Sequence, residues 1–84
     1  MMRMRYPINE LEVGKFRVST NLNIIYDNEG WDIDGNHVDV LFHDGDKEKT
    51  VRYPMQHMFI DEIIAIKRKE IANAVQNNRS RNPD

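Results

Sequence analysis

One stretch of the chain, from Met55 to about Asn77, has sustained helical periodicity. Its apolar side chains recur every three or four residues, which is the spacing of one helix face. They are Phe59, Ile60, Ile63, Ile64, Ile71, Ala74 and Val75. Pro54 ends the preceding strand and suits the start of a helix. The sequence therefore predicts one long C-terminal helix, preceded by short strands and turns.

The length and composition limit the class of protein. With 84 residues and no cysteine, the chain has room for one domain and no disulfide or thiolate metal site. No apolar run approaches the roughly 18 residues of a membrane span, and no apolar stretch follows the basic start as in an export signal. We expect a single domain over residues 1–77, a disordered polar tail over 78–84, and a soluble, cytoplasmic protein without membrane contact.

Turn-forming residues divide the part before the helix into short strands. Asn21, Asp27–Gly30, Asp34–Asn36 and Asp44–Asp46 fit turns, with Gly30 free to take a positive φ. The segments between them predict strands over residues 13–20, 22–27, 31–33, 37–43 and 47–53, after an extended arm or short edge strand over residues 1–11. The fold class predicted is α+β, either a small curved antiparallel sheet or an SH3-like barrel of about five short strands followed by one long C-terminal helix.

The hairpin from His37 to Tyr53 has a register that follows from its residues. A Gly45-Asp46 type II′ turn places two apolar pairs and two pairs of opposite charge opposite each other on the neighbouring strands. An Asp44-Gly45 type I′ turn loses both charge pairs. The preferred register places Val40 opposite Val51, Val38 opposite Tyr53, Asp39 opposite Arg52 and Asp44 opposite Lys47. With its Val-Leu-Phe-x-Asp-Gly run, this hairpin resembles those of Tudor and chromo-like barrels. The resemblance covers about a fifth of the chain and implies a barrel-like fold without implying a function.

The hairpin before it has a predicted register too. A four-residue loop over Asp27–Gly30 would set Tyr26 opposite Trp31 and Ile24 opposite Ile33. A two-residue loop would instead bring two aspartates together, which is unfavourable.

The formal net charge of −2 conceals an uneven distribution, because the acidic residues concentrate in the middle and both ends are mildly basic. The acidic turns after the second and fourth predicted strands should project from one end and attract a basic surface. This predicts a regulator or inhibitor, similar to small phage early proteins, that docks on a basic and possibly nucleic-acid-binding protein. The partner-binding residues predicted are Asp27, Glu29, Asp32, Asp34, Asp44, Asp46 and Glu48.

A second hypothesis uses the basic residues of the helix end and the tail. They could contact phosphates of RNA or DNA, although a consecutive basic run near a helix C-terminus is also favoured by the helix dipole. The residues of this alternative nucleic-acid surface are Lys67, Arg68, Lys69, Arg79 and Arg81.

The predicted helix is longer than the predicted strands. A helix of ~23 residues spans about 35 Å, whereas strands of five to seven residues span only about 17–23 Å. The apolar stripe nevertheless continues along the far half of the helix, through Ile71, Ala74 and Val75. We expect the N-terminal arm, a second copy of the chain or another partner to cover this face, and favour a homodimer.

Catalytic and metal-binding patterns are missing from the sequence. It has no nucleophile motif, P-loop or dinucleotide motif. The aspartate-rich turns do not fit a calcium loop, and His37 and His43 are about 20 Å apart along a strand. The aromatic residues that fit inward positions in the core are Tyr26, Trp31, Phe42 and Tyr53. We therefore expect no enzymatic activity, no cofactor and no metal.

Overall fold

A computed structural model describes residues 1–81 and shows an α+β fold with four antiparallel strands and one helix. The elements are β1 (Met2–Val13), β2 (Phe16–Tyr26), β3 (Trp31–Asp44), β4 (Lys47–Pro54) and α1 (His57–Arg81). The strand order is β1-β2-β3-β4, so each strand pairs with its neighbour in sequence and β1 and β4 form the edges. Across residues 1–81 the two edge strands do not pair to close a barrel.

The predicted count of five short strands is wrong because residues 16–26 form one continuous strand. The predicted turn at Asn21 is an internal position of β2, and its side chain is buried. Its amide Nδ2 donates to Ser19 Oγ at 3.1 Å and to the Asp39 carbonyl at 3.4 Å. Asparagine favours turns, but here its hydrogen-bonding capacity is used within the sheet.

Residues 31–44 also form one strand instead of two. The register runs from Ile24 opposite Ile33 to Leu22 opposite Val38, so Asn23 alone faces the four residues 34–37. The predicted turn at 34–36 is therefore a large bulge, which bends a strand without ending it. Gly35 permits it with a φ of 82°, whereas Gly30 does not adopt the predicted positive φ.

The bulge glycine gives a stability prediction with an internal control. A Cβ on Gly35 would lie 2.7 Å from His37 Nδ1 and would occupy a positive φ, so Gly35→Ala should lower the free energy of unfolding by about 1–2 kcal/mol. Gly30→Ala meets no atom within 4 Å and should change it by less than about 0.5 kcal/mol. Urea denaturation of both variants measures the difference; equal losses would contradict the strain at Gly35.

Both predicted hairpin registers are confirmed. Gly45 has a positive φ and Asp46 does not, as a type II′ turn requires. The observed pairs are Val40–Val51, Val38–Tyr53, Asp39–Arg52 and Asp44–Lys47 in one hairpin, and Tyr26–Trp31 and Ile24–Ile33 in the other.

The first strand is a full edge strand of 12 residues, longer than the arm or short strand predicted. Its ladder with β2 is interrupted after Pro7, because Pro7 pairs with Asn21 and Asn9 pairs with Thr20, which leaves Ile8 as an extra residue. Pro7 also has no N–H to offer on either side of the strand.

The predicted dimer face of the helix is wrong, because it lies in the core. Ile71 and Val75 are both 0% exposed and pack with Leu22, Ile24 and Val38, and Ala74 is half-buried. The length mismatch disappears because the strands are longer than predicted: the 11 residues of β2 span about 36 Å, close to the roughly 37 Å of a 25-residue helix. The side chains left exposed are instead in the first half of α1, among them Phe59 and Ile66.

The helix ends one turn later than the predicted Asn77. Residues 78–81, assigned to the polar tail, are helical, and residues 82–84 of that tail lie outside the described residues. Arg79 secures this last turn, because its Nε donates to the Asp27 carbonyl at 2.7 Å. Within residues 1–81, no helix combines the length and the hydropathy that crossing a membrane requires.

Candidate partner-binding groove

The seven acidic residues predicted to bind a partner do not form one surface. The turns at 27–30 and 44–46 lie at opposite ends of β3. Its partner β2 runs between the same two ends with 11 residues, which span about 36 Å at ~3.3 Å per residue. The prediction placed them together because it had one extra strand, and so one extra turn, between them, which reverses the direction of the chain. The acidic charge is therefore divided between the two ends of the sheet.

Several of these acidic groups have local partners. Asp27 Oδ1 accepts the N–H groups of Glu29 at 2.8 Å and Gly30 at 2.9 Å, and these bonds lower the pKa of the Asp27 carboxyl. Asp34 Oδ2 accepts a hydrogen bond from Arg3 at 3.1 Å. Both side chains stabilise the fold around them, which reduces their capacity to attract a partner.

The predicted nucleic-acid surface is also divided. Lys67 is half-buried and lies 3.4 Å from Glu70, and Arg79 holds the helix end to the β2–β3 turn. Arg68, Lys69 and Arg81 remain exposed. No ion pair involves them within residues 1–81.

Members of the two predicted sets meet in a groove beside Trp31. The groove has a volume of about 500 Å³, within the range of roughly 300–1,000 Å³ that is usual for ligand sites. One wall is the start of β3 and the other is one side of α1; we call it the Trp31 groove. It is lined by Glu29, Gly30, Trp31, Asp32, Ile64, Arg68, Ala72, Gln76 and Arg79.

The β3 wall of the groove is an open strand edge. β4 ends where Pro54 pairs with His37, and the Met55 N–H then donates to the Asn36 carbonyl at 2.8 Å. Residues 31–33 of β3 pair with β2 on one side, and residues 34 and 35 belong to the bulge. On the other side they have no strand neighbour anywhere in residues 1–81.

The alternation of hydrogen-bonded and non-hydrogen-bonded pairs in the β2–β3 hairpin shows which backbone groups of β3 do not bond to β2. The Asp27 N–H donates to the Gly30 carbonyl at 3.0 Å. In an antiparallel ladder the next pair, Tyr26 with Trp31, then exchanges no hydrogen bonds, so the N–H and C=O of Trp31 point away from β2. The same holds for Ile33, whose N–H instead meets Asp32 Oδ1 at 2.7 Å. The free edge thus presents both backbone groups of Trp31 and the carbonyl of Ile33.

The side chains of the groove combine apolar surface with both signs of charge. Trp31, Ile64 and Ala72 are half-buried and supply apolar contact. Arg68 supplies a positive charge from the helix, and Asp32 a negative one from the strand. The ring of Trp31 also borders a second depression of about 320 Å³ on the far side of the turn.

Sequence reasoning assigned Trp31 to the core and missed the groove. The assignment is half right, since Trp31 packs against the core cluster while bordering both depressions. The hairpin register contains the signal that predicts the groove. Because Pro54 pairs with His37 and β4 ends there, β4 cannot cover residues 31–35.

A second polar cluster occupies the sheet face opposite the helix. Asp39, a charged residue, is only 2% exposed. Its carboxylate accepts hydrogen bonds from Arg52 Nε at 3.0 Å and Asn23 Nδ2 at 2.9 Å, and Arg5 lies 3.7 Å away. The hydrogen bond from Arg52 is the main cause of a lowered pKa at Asp39. These cations neutralise a buried charge, so the cluster has a structural role.

Comparisons of the chain with protein-family models, with curated proteins and with solved structures found no match. Function therefore has to follow from the chemistry of the Trp31 groove and its open strand edge.

Proposed function

We propose that the protein is a small, non-enzymatic, cytoplasmic binding protein, a regulator or inhibitor that holds an extended segment of a protein partner in the Trp31 groove. The segment adds a strand to the open edge of β3, a mode in which backbone hydrogen bonds give affinity and side-chain pockets give specificity. The observation that carries the proposal is the free edge at Trp31 and Ile33, placed directly beside a helix wall.

The backbone contacts of the added strand follow from the free groups. Its N–H and C=O groups can pair with both groups of Trp31 and with the Ile33 carbonyl. In the free protein the Ile33 N–H donates to the Asp32 carboxylate. If the carboxylate moves aside, this N–H can donate a fourth hydrogen bond to the added strand. Each bond contributes about 0.5–1.5 kcal/mol net, so the edge alone gives weak binding and side chains must supply the remainder.

The groove side chains define the chemistry of the segment. An apolar residue fits against Trp31 and Ile64, because both present hydrocarbon surface beside the edge. An acidic residue fits opposite Arg68, and a basic residue fits near Glu29 and Asp32. The proposal keeps the predicted attraction of acidic residues for a basic partner but limits it to the two acidic groups that line the groove.

The first experiment tests whether a peptide binds as a strand. A displayed library of short random peptides is selected on the full chain, and binding is followed by the fluorescence of Trp31, the chain's one tryptophan. The N–H groups of alternate peptide residues point toward β3, and those of the residues between them point away. N-methylation of the residues that point toward β3 should weaken binding about tenfold or more, and N-methylation of the others should have little effect. The amide of Trp31 should also become protected from hydrogen exchange. Equal effects at both sets of positions would contradict strand addition.

The second experiment tests the groove wall with matched charge reversals. Arg68→Glu should weaken the selected peptide about tenfold or more, whereas Lys69→Glu, on the adjacent residue outside the groove, should have little effect. Single-stranded RNA is the competing ligand. If RNA binds and both reversals reduce its binding alike, the nucleic-acid hypothesis replaces the groove.

A further inference from the structure

The sheet has an apolar surface beyond the groove that nothing in residues 1–81 covers. Leu11, Val13 and Phe16, near the β1–β2 turn, are between 41% and 67% exposed. Leu11 pairs with Val18, and Val13 pairs with Phe16. Because alternate residues of a strand share a face, Phe16 and Val18 lie on the same face as the core residue Leu22. The face that packs against α1 thus continues, uncovered, to the other end of the sheet.

We call this surface the hairpin patch and define it by five residues that the register places side by side. They are Leu11, Val13, Phe16, Val18 and Phe42. Contiguous exposed apolar surface of this kind usually marks an interaction site.

The helix carries a second exposed apolar surface, the helix patch, formed by Phe59 and Ile66. Phe59 is 51% exposed and Ile66 is 76% exposed, and their spacing of seven residues puts them on one side of α1. Glu70, four residues after Ile66, continues that side and accepts a hydrogen bond from the Tyr6 hydroxyl of β1 at 2.9 Å. The Trp31 groove borders the opposite side, at Arg68 and Ala72. The helix patch therefore faces away from the groove.

The two patches have opposite charges at their borders. Lys49 pairs with Phe42 and Lys47 pairs with Asp44, so both lysines lie on the face of the hairpin patch. Glu62 lies beside the helix patch, three residues after Phe59 and four before Ile66. No ion pair involves Lys49 or Glu62 within residues 1–81. Lys69 beside Ile66 and Asp44 opposite Phe16 add charges of the other sign to the two borders, so the complementary pair that the patches offer each other is Lys49 with Glu62.

We propose that a second copy of this chain covers both patches, with the helix patch of each protomer packed on the hairpin patch of the other. Two-fold symmetry uses each patch once and closes the assembly as a dimer. It brings Lys49 of one copy near Glu62 of the other. The Trp31 groove stays open on the other side of α1, so the dimer offers two grooves. This inference does not depend on the proposed function.

Sedimentation equilibrium of the full chain over a range of concentrations tests the dimer. We expect a mass of twice 10.0 kDa for the native chain and 10.0 kDa for Ile66→Lys and Phe16→Glu. Ala65→Lys, the adjacent exposed helix position outside the patch, should remain dimeric. Circular dichroism verifies that each variant is folded.

A charge exchange tests the pairing itself. Lys49→Glu and Glu62→Lys should each weaken dimerisation, and the double variant should recover most of the loss, as contacting pairs do in a double-mutant cycle. A native chain of 10.0 kDa at every concentration, a dimer that survives Ile66→Lys, or open-ended growth with concentration would each overturn the proposal.

Discussion

Replacing Ile71 with alanine is expected to lower the free energy of unfolding by about 3–4 kcal/mol, within the usual range for removing a large aliphatic side chain from a filled core. Ile71 is 0% exposed and packs with Leu22, Ile24 and Val38 from two different strands. Domains of this size are stable by roughly 5–12 kcal/mol, so the variant should lose a large part of its stability. Urea denaturation should show a lower midpoint with an unchanged slope.

The same substitution at Ile66 is the matched control. Ile66 lies on the same helix and is 76% exposed, so Ile66→Ala should change the free energy of unfolding by less than about 0.5 kcal/mol when measured below the dimerisation range. The difference between the two costs shows whether Ile71 or Ile66 packs in the core. Similarly small costs at both positions would mean that the far half of α1 is not packed in the core, as the sequence prediction of an uncovered Ile71 implied. For the same reason, Ile71→Glu should unfold the chain instead of releasing a folded monomer.

The second large effect is expected from Asp39→Ala, at about 2–3 kcal/mol. Truncating this carboxylate leaves Arg52 and Asn23 without their acceptor on the sheet face. Breaking a buried pair usually costs 3–5 kcal/mol; the expected value is lower because Arg52 and Arg5 reach solvent and can be rehydrated. Asp44→Ala removes an exposed carboxylate from the end of the same strand and should cost less than about 0.5 kcal/mol.

The charge of Asp39 also predicts a pH dependence. Its pKa in the folded state is lowered, chiefly by the hydrogen bond from Arg52, so the unfolded chain binds the proton more readily. Its stabilising effect is complete above the unfolded pKa of about 3.9 and is lost as the pH falls through the lowered folded pKa. Urea midpoints between about pH 2 and pH 6 should therefore fall less steeply in Asp39→Asn than in the native chain. Part of the pH dependence should remain in Asp39→Asn, because the pKa values of Asp27 and Glu70 are also lowered. If the urea midpoints of the two chains depend on pH identically, Asp39 does not contribute to the pH dependence.

The sequence allowed the hairpin registers to be predicted because they depend on local pairs. Val40 with Val51 and Asp39 with Arg52 are contacts between neighbouring strands, which alternation and charge can identify. The strand count could not be obtained in this way. Asn21 and Gly35 have the same local preferences in a turn and inside a bulged sheet, and only the pairing of whole strands distinguishes the two.

The error in strand count affected the candidate site. One additional turn reverses the direction of everything that follows it, so the acidic turns were placed together when they lie at opposite ends of β3. Glu29, Asp32, Arg68 and Arg79 were all named from the sequence, but as members of two rival surfaces. Their meeting beside Trp31 depends on where β4 ends and where α1 crosses the sheet, and both are tertiary properties.

The interruption of β1 determines how many strands this sheet can accept. Pro7 offers no N–H, and the extra residue Ile8 breaks the ladder, so a further strand cannot run along that edge without losing hydrogen bonds and register. On the other side, β4 carries Lys47 and Lys49, and charged edge residues of this kind discourage pairing. The short segment beside Trp31 is the edge without such protection. The strand addition proposed above would therefore be saturable at one strand per protomer and would not propagate into a fibre.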